Sequence, residues 1–310
     1  MKYRRLGSTG LRVSVIGMGT WQFGGEWGKD FSQDEADRML ARAKELGINL
    51  VDTAECYGDH VSETLIGNYL STRRDRADWV IATKFGHHFK GLNDRDTVYD
   101  PVDVVKQLER TLRALRTDYV DVYQFHSGAD EHFETRGLWE TLREQKRLGK
   151  VRHLGVSISS TRENLNQVEA SPNVGAEVIQ VLYNRLERGP EQRVLPACRR
   201  LNLGVLARVP LASGYLSGKY KPGAKFTASD VRSTQDPKKV DEKLKQVERI
   251  AREEVPAGVD MAKWALAWCL RHEAVASVIP GCKDVNQVEA NAAAAALVAG
   301  EHALAWPGAK

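Results

Sequence analysis

Short apolar or β-branched runs alternate along this chain with stretches whose apolar residues recur every three or four positions. The runs cover 15–18, 48–53, 79–84, 119–125, 151–157, 178–182, 204–209 and 276–280. Each has the length and composition of a buried strand. The intervening spacing predicts helices. Ser32 is placed to cap a helix with Ala36, Met39, Leu40 and Ala43 on one face, and Gly47 ends it. Asp100-Pro101-x-Asp103 opens another, with Val104, Leu108, Leu112 and Leu115 at helical spacing. Further helices are predicted over 61–70, 136–148, 161–169, 190–202, 260–272 and 284–298. The polar stretch 239–254 predicts an extra helix after the longest irregular segment, 211–238. Ahead of the alternation, Arg4-Arg5-Leu6 and Leu11-Arg12-Val13 flank Gly7-Ser8-Thr9-Gly10, the pattern of a β-hairpin.

Eight strand-like runs, each followed by a helix, predict an α/β chain. A single (β/α)8 barrel over 1–310 follows, with an N-terminal hairpin and an extra helix after the seventh strand. An open doubly wound sheet is the competing architecture, and it needs a phosphate loop after its first strand. Gly17-Met18-Gly19 is followed by Thr20, Trp21 and Gln22, so the third glycine of that loop is missing.

Composition narrows the picture. The chain has 310 residues, 42% hydrophobic and 28% charged, ample for a large core. A formal charge of +4 with no long basic run gives no reason to expect nucleic acid as a partner. No apolar run is long enough to span a bilayer, so no membrane is expected, and the Ala292 to Ala296 run is read as helix packing. Cys56, Cys198, Cys269 and Cys282 are far apart in sequence. Their spacing indicates neither a disulfide framework nor a metal site, and a reducing cytoplasm is the simplest compartment.

Four polar residues fall at or just beyond the carboxyl ends of successive strands. Asp52 and Tyr57 lie in Asp52-Thr53-Ala54-Glu55-Cys56-Tyr57-Gly58 after the second, Lys84 ends the third and His126 follows the fourth. In a barrel these ends converge on one mouth. A tyrosine hydroxyl ordinarily titrates near a pKa of about 10. A neighbouring ammonium is expected to lower that value. Singly, these are an ordinary cap or turn former, a packed ring, a solvated strand end and a rim histidine. Together they form a carbonyl-reduction set: Tyr57 as general acid, Lys84 as its tuner, Asp52 as partner to Lys84 and His126 as the group that aims the carbonyl. No side chain donates hydride, so a nicotinamide cofactor is implied.

Asp52-Thr53-Ala54-x-x-Tyr57-Gly58 matches the signature of the aldo-keto reductases, and Asp52, Tyr57, Lys84 and His126 resemble that family's catalytic tetrad. The resemblance runs from Gly17-Met18-Gly19-Thr20-Trp21 to Pro280-Gly281. It is strongest to the bacterial branch that also resembles potassium-channel β subunits. It implies NADPH-dependent reduction of a small-molecule aldehyde or ketone, with the cofactor extended across the barrel mouth. By the same resemblance Thr20 and Trp21 line the nicotinamide pocket, and Ser157 and Gln180 hold its carboxamide. The run from Pro210 and Leu211 through Gly214 and Ser217 to Lys219 resembles the pyrophosphate clamp. Its glycines admit backbone amides, and Ser217 and Lys219 add a donor and a charge. After the eighth strand, Gly281 and Lys283 lead to Gln287 and Asn291 at the start of a helix, a natural anion site. Lys283 there favours the 2′-phosphate of NADPH over NADH, and Arg232 is a second candidate for the adenosine end. Arg208 stands where the family often stacks an aromatic ring on the nicotinamide, Ile158 where many relatives have Asn or Arg, and Ala290 where relatives often have Glu.

Two other functions fit the same residues: an NAD(P)-dependent sugar or polyol dehydrogenase working in the oxidative direction, and a cofactor-binding sensor or regulatory subunit with slow turnover. Candidate walls for the substrate are Trp21, Phe23, Phe85, Tyr215 and the tail 300–306, with Trp306. The sequence sets neither a substrate nor an oligomeric state.

Overall fold

The computed structural model describes residues 1–92, 94–159 and 164–298. Its N-terminal hairpin pairs β1 (Tyr3–Arg5) with β2 (Arg12–Ser14). Eight strands then form one parallel sheet: β3 (Met18–Gly19), β4 (Leu50–Asp52), β5 (Val80–Phe85), β8 (Val120–His126), β9 (Val151–Ser157), β10 (Ala176–Leu182), β11 (Gly204–Arg208) and β12 (Val275–Ile279). Parallel bridges from Ile16 to Val278 and from Gly19 to Gly281 join the first strand to the last. The chain is a (β/α)8 barrel, as its alternation predicts. The first strand is more fragmentary than expected, with two regular residues and one isolated bridge in place of 15–18, and the second shortens from 48–53 to Leu50–Asp52.

A second hairpin, β6 (His87–Gly91) with β7 (Asp94–Thr97), follows β5 directly. The hydrophobic pattern did not predict it, because its strands are polar and belong to no core cluster. It rises from the end of the barrel that carries the tetrad.

Side-chain parity divides the barrel interior into an apolar floor and a polar ceiling. Successive residues of a strand face opposite ways. Leu50, Val80, Ala82, Val122, Val178, Leu206 and Ala276 form one inward cluster, and Leu6 and Val13 of the hairpin plug it from below. Burying each large aliphatic side chain contributes about 1.5–3 kcal/mol. Two residues further along the same strands, the inward positions become Asp52, Lys84, Gln124, Gln180 and Arg208. Residues of opposite parity, such as Ile81, Phe85, Tyr123, Phe125 and Val205, pack outward against the helices.

The helices form where their signals lie. Ser32 closes a full capping box with Glu35 at the start of Gln33–Glu45, and Asp100 caps Pro101–Leu115. The predicted helix 61–70 extends to Val61–Arg73, and 136–148 shortens to Leu138–Arg147. The extra helix is Pro237–Glu253. The segment 284–298 divides into Val285–Ala293 and a tighter turn, Ala294–Leu297. Part of 161–169 lies outside the described residues, and the helix there is Leu165–Val174. Among the described residues no helix is long and apolar enough to cross a membrane.

Candidate active site

At the mouth, Lys84 is the hub. It is 1% exposed. Its Nζ donates to Asp52 Oδ1 at 2.7 Å, to the Thr53 carbonyl at 2.7 Å and to Tyr57 Oη at 3.0 Å. A buried ammonium needs every donor matched, and three acceptors achieve that. The other oxygen of Asp52 accepts from Gln180 Nε2 at 2.6 Å and from Gln124 Nε2 at 3.3 Å. Gln124 opposes Lys84 across the β5–β8 pair, and Gln180 opposes Ser157 across β9–β10.

His126 completes the group. Its ring lies edge-on to Tyr57, centroids 6.4 Å apart, and stacks on His87 at 4.3 Å. The Tyr99 hydroxyl holds its carbonyl at 2.6 Å. The loop that presents Tyr57 depends on Gly58, whose φ of +67° lies in the left-handed region. A Cβ there would stand 2.6 Å from the Gly24 carbonyl oxygen.

The electrostatics correct one expectation. Burial pushes the Tyr57 phenol up to about 12 despite the opposing pull of Lys84. Lys84 limits the rise and does not reverse it, so Tyr57 remains a protonated acid at neutral pH. For Lys84, burial is the largest single influence and acts downward, but Asp52 and Tyr57 lift the ammonium above its ordinary value. His126 is held well below the usual histidine range by burial first, then by His87, Lys84, Arg208 and Arg95. A neutral imidazole beside a protonated phenol provides two hydrogen-bond donors for one carbonyl oxygen.

The residues expected to hold a cofactor fall into two groups. Arg208 extends the inward column of β11 above Leu206, and Nη2 donates to the Ile158 carbonyl at 3.1 Å. Its buried Nε has no partner among the described residues. Burial lowers its pKa, while Tyr57 and Asp52 act to raise it. Val209, Ala212 and Ser213 all have positive φ, as does Gly214. A β-branched residue in that region is strained, and strain of this kind marks ligand clamps. The Ser217 hydroxyl donates to the Gly214 carbonyl at 2.6 Å and accepts from the Lys219 amide at 3.3 Å. Pro210 is buried, Leu211 half-buried and Lys219 exposed.

The other group gathers around the start of Val285–Ala293. Lys283 donates to the Trp27 carbonyl at 2.6 Å and lies 3.9 Å from Asp230. Burial and the nearby cations Arg232, Lys219 and Lys29 lower its ammonium against the pull of Asp230. A cavity of about 220 Å³ opens here between Lys29, Arg38, Lys283 and Asn286. The Gln287 side chain accepts from the Lys283 amide, and Asn291 donates to the Cys282 sulfur. Arg232 is engaged: Asp230 binds it at 2.9 and 2.7 Å, and the Ser213 carbonyl accepts from it at 3.2 Å. It therefore ties Asp230 to the 212–214 loop. Gly281 lies against Gln22 beside the β3–β12 bridge.

Thr20 and Trp21 follow β3, next to Gly281 across the β3–β12 bridge. The Thr20 hydroxyl donates to the Asp52 carbonyl at 2.8 Å. Trp21 stacks on Tyr57, centroids 6.0 Å apart, and its Nε1 donates to Glu26 at 2.7 Å. Of the described residues expected to wall the substrate, Trp21 alone stands there. Phe23, Phe85 and Tyr215 are each at most 1% exposed and belong to hydrophobic core clusters. The tail 300–306 lies outside the described residues.

The polar hairpin contributes residues that sequence reasoning missed. Arg95 forms a two-pronged ion pair with Glu26 at 2.5 and 2.6 Å, tying the hairpin to the first loop. Burial pushes the Cys56 thiol up to about 12, and Arg95 and Lys84 oppose the rise. Glu55 is buried with one oxygen unpartnered among the described residues, and burial and Glu63 push its carboxyl up to about 9, against backbone donors at Gly86 and His87. The available signal was Gly91-Leu92-Asn93-Asp94, a turn composition between two short runs. A cavity of about 630 Å³ lies between Phe133, Trp139 and Ala170 and includes none of the tetrad.

The model of the aldo/keto reductase family matches residues 15–304. The chain is 32% identical over 299 residues to an uncharacterized oxidoreductase, YrpG, of Bacillus subtilis, covering 93% of this chain and 89% of that one. It is 30% identical over 308 residues to a probable voltage-gated potassium channel subunit beta of Oryza sativa subsp. japonica, covering 94% and 90%. Its fold resembles the structure of the glycerol dehydrogenase AKR11B4 of Gluconobacter oxydans, with a TM-score of 0.79, 28% identity, and 94% and 89% coverage.

Proposed function

The chain belongs to the aldo/keto reductase family, and from that premise we propose that it reduces an aldehyde or ketone to the alcohol with NADPH. The observation that carries the reading is the hub at the mouth: one buried ammonium 3.0 Å from a protonated phenol and 2.7 Å from a carboxylate. The carbonyl oxygen is received by Tyr57 Oη and the neutral His126 ring. Tyr57 donates its proton as negative charge develops on that oxygen. Lys84 stabilises the phenolate left behind, and Asp52, held by Gln180 and Gln124, keeps Lys84 charged and aimed.

The nicotinamide fits the residues around it. The left-handed run 212–214, with the strained Val209, offers backbone amides to a pyrophosphate. Lys283, Lys219 and Lys29 offer positive charge beside a helix start to an adenosine phosphate. Arg208, Ser157 and Gln180 line the nicotinamide end, with the unpartnered Arg208 Nε available to an acceptor. When bound, the reduced nicotinamide supplies the hydride that no side chain can. Four buried free cysteines fit a reducing compartment, and we assign the cytoplasm.

The structural match to a glycerol dehydrogenase favours a second reading, oxidation of a polyol by the same residues in reverse. Absorbance assays decide among the readings: a carbonyl panel with NADPH and with NADH, and a polyol panel with the oxidised cofactors. Turnover with carbonyls at saturating NADPH supports reduction. Turnover confined to polyols reverses the direction, and tight cofactor retention without turnover of either panel rejects both in favour of a sensor.

A further inference from the structure

We propose that Cys56, His87 and His126 form a zinc site at the mouth of the barrel, and that zinc bound there closes the active site. The three come from the loop after β4, the start of β6 and the end of β8. Their donor atoms all lie within 4.8 Å of one another. Cys56 Sγ is 3.8 Å from His126 Nδ1, and the His87 and His126 rings stack at 4.3 Å. Tetrahedral zinc, with Zn–S of about 2.3 Å and Zn–N of about 2.0–2.1 Å, needs donors roughly 3.3–3.6 Å apart. The rings and thiol therefore close by roughly 1 Å, within the reach of rotation about side-chain bonds.

One thiol and two imidazoles are the borderline-soft donors that select zinc over magnesium or calcium. Three protein ligands leave the fourth position open to water or to a substrate oxygen. Linear spacing gave no hint of this. Cys56 and His126 are 70 positions apart, His87 lies between them on β6, and the fold alone joins the three. The proposed site departs from the expectation of no metal site, which cysteine spacing alone had given.

The surroundings define what kind of site it is. Lys84, Arg95 and Arg208 act electrostatically on this cluster. These cations oppose a second positive charge, so the site exchanges its ion and holds no resident one. On binding, the Zn–S bond forms as the Cys56 proton leaves to solvent, with no change of oxidation state. His126 turns from the carbonyl to the metal, and carbonyl reduction stops. That inhibitory half rests on the reductase reading; the metal site does not.

Cobalt(II) is the probe. Added to the full chain at neutral pH, it is expected to give a thiolate charge-transfer band in the near ultraviolet and intense four-coordinate visible bands, saturating at one ion per chain. Zinc should displace both. Cys56→Ala should lose the charge-transfer band, and His87→Ala should lose the four-coordinate intensity. Zinc should inhibit the wild type competitively with carbonyl, a chelator should restore it, and Cys56→Ala should keep its reduction without zinc inhibition. Absence of saturable cobalt binding in the wild type, or a thiolate band that survives Cys56→Ala, overturns the site. The wild-type titration needs no variant, so a misfolded mutant does not blunt the test. Cobalt spectra are independent of turnover. A chain that binds cobalt and reduces no carbonyl keeps the site and loses the reductase reading.

Discussion

The two sides of the barrel mouth are built by different rules. On the tetrad side, functional groups satisfy one another: Lys84 meets Asp52 and Tyr57, and Asp52 meets Gln180 and Gln124. On the side assigned to the cofactor, groups are held by scaffold. Arg232 is gripped by Asp230, Asn291 by Cys282, and Ser217 by its own loop. A self-satisfied cluster is preorganised before any ligand arrives, so its geometry is set by the barrel. A clamp must admit and release a large ligand, and strained backbone with an exposed Lys219 suits that task.

The comparison is broken most sharply at Tyr57. Tyr57→Phe removes one oxygen and leaves the ring stacked on Trp21. NADPH-dependent reduction is expected to fall by about 10²–10⁴-fold, while cofactor affinity, read by fluorescence titration, stays close to wild type. Activity near wild type would remove the phenol from the chemistry. Asp52→Asn tests self-satisfaction itself. It leaves the buried Lys84 charge without its counterion, at a cost of about 3–5 kcal/mol in urea unfolding. Adding Lys84→Met to Asp52→Asn should recover part of that loss, because the orphaned charge is gone. A double variant less stable than the single one would mean that the pair is not coupled.

How legible each side was follows from parity and distance. Asp52, Lys84 and His126 stand in inward columns, so the period-2 pattern that located the floor also located the tetrad. Arg208 is legible in the same way, two residues above Leu206. The same rule places Phe85 outward, since its neighbour Lys84 points in; the aromatic type alone wrongly suggested a substrate wall. The engagement of Gln180 by Asp52 spans 128 positions and no local pattern carries it. The β6–β7 hairpin was invisible because it buries little and so has no hydrophobic period. The upward shift of the Tyr57 phenol depends on how much water is excluded, which the strand pattern does not specify.

A buried acid beside the tetrad gives a smaller effect with a defined sign. Glu55 is raised to about 9, so the folded chain keeps a proton that the unfolded chain releases above its ordinary carboxyl value. The folded state then binds more protons than the unfolded one, and stability falls as pH rises toward 9. His87, lowered to about 4, and His126 work the other way, with stability lost on acidification from the ordinary histidine value downward. Above pH of about 7 those two have finished titrating and the Glu55 slope stands clear. Glu55→Gln should remove it, gaining on the order of 1–3 kcal/mol at pH near 8 relative to its effect near 5, by urea unfolding at each pH. An unchanged slope would mean that the Glu55 carboxylate is ionised in the fold.

The smallest effect belongs to the scaffolded side and tests whether its charges serve a ligand at all. Lys283 is half-buried, hydrogen-bonded to the Trp27 carbonyl and only loosely paired with Asp230 at 3.9 Å. A purely structural lysine would lose the Trp27 bond on substitution and affect both cofactors alike. A lysine that meets the 2′-phosphate distinguishes them, because NADH has no such group. Lys283→Ala is therefore expected to weaken NADPH by about tenfold, near 1.4 kcal/mol, and to leave NADH within about twofold. The loss should shrink as salt is added, since the contact is partly exposed. Equal weakening of the two would assign Lys283 to the scaffold and leave Lys29 and Lys219, which crowd it electrostatically, as the cations available to the phosphate.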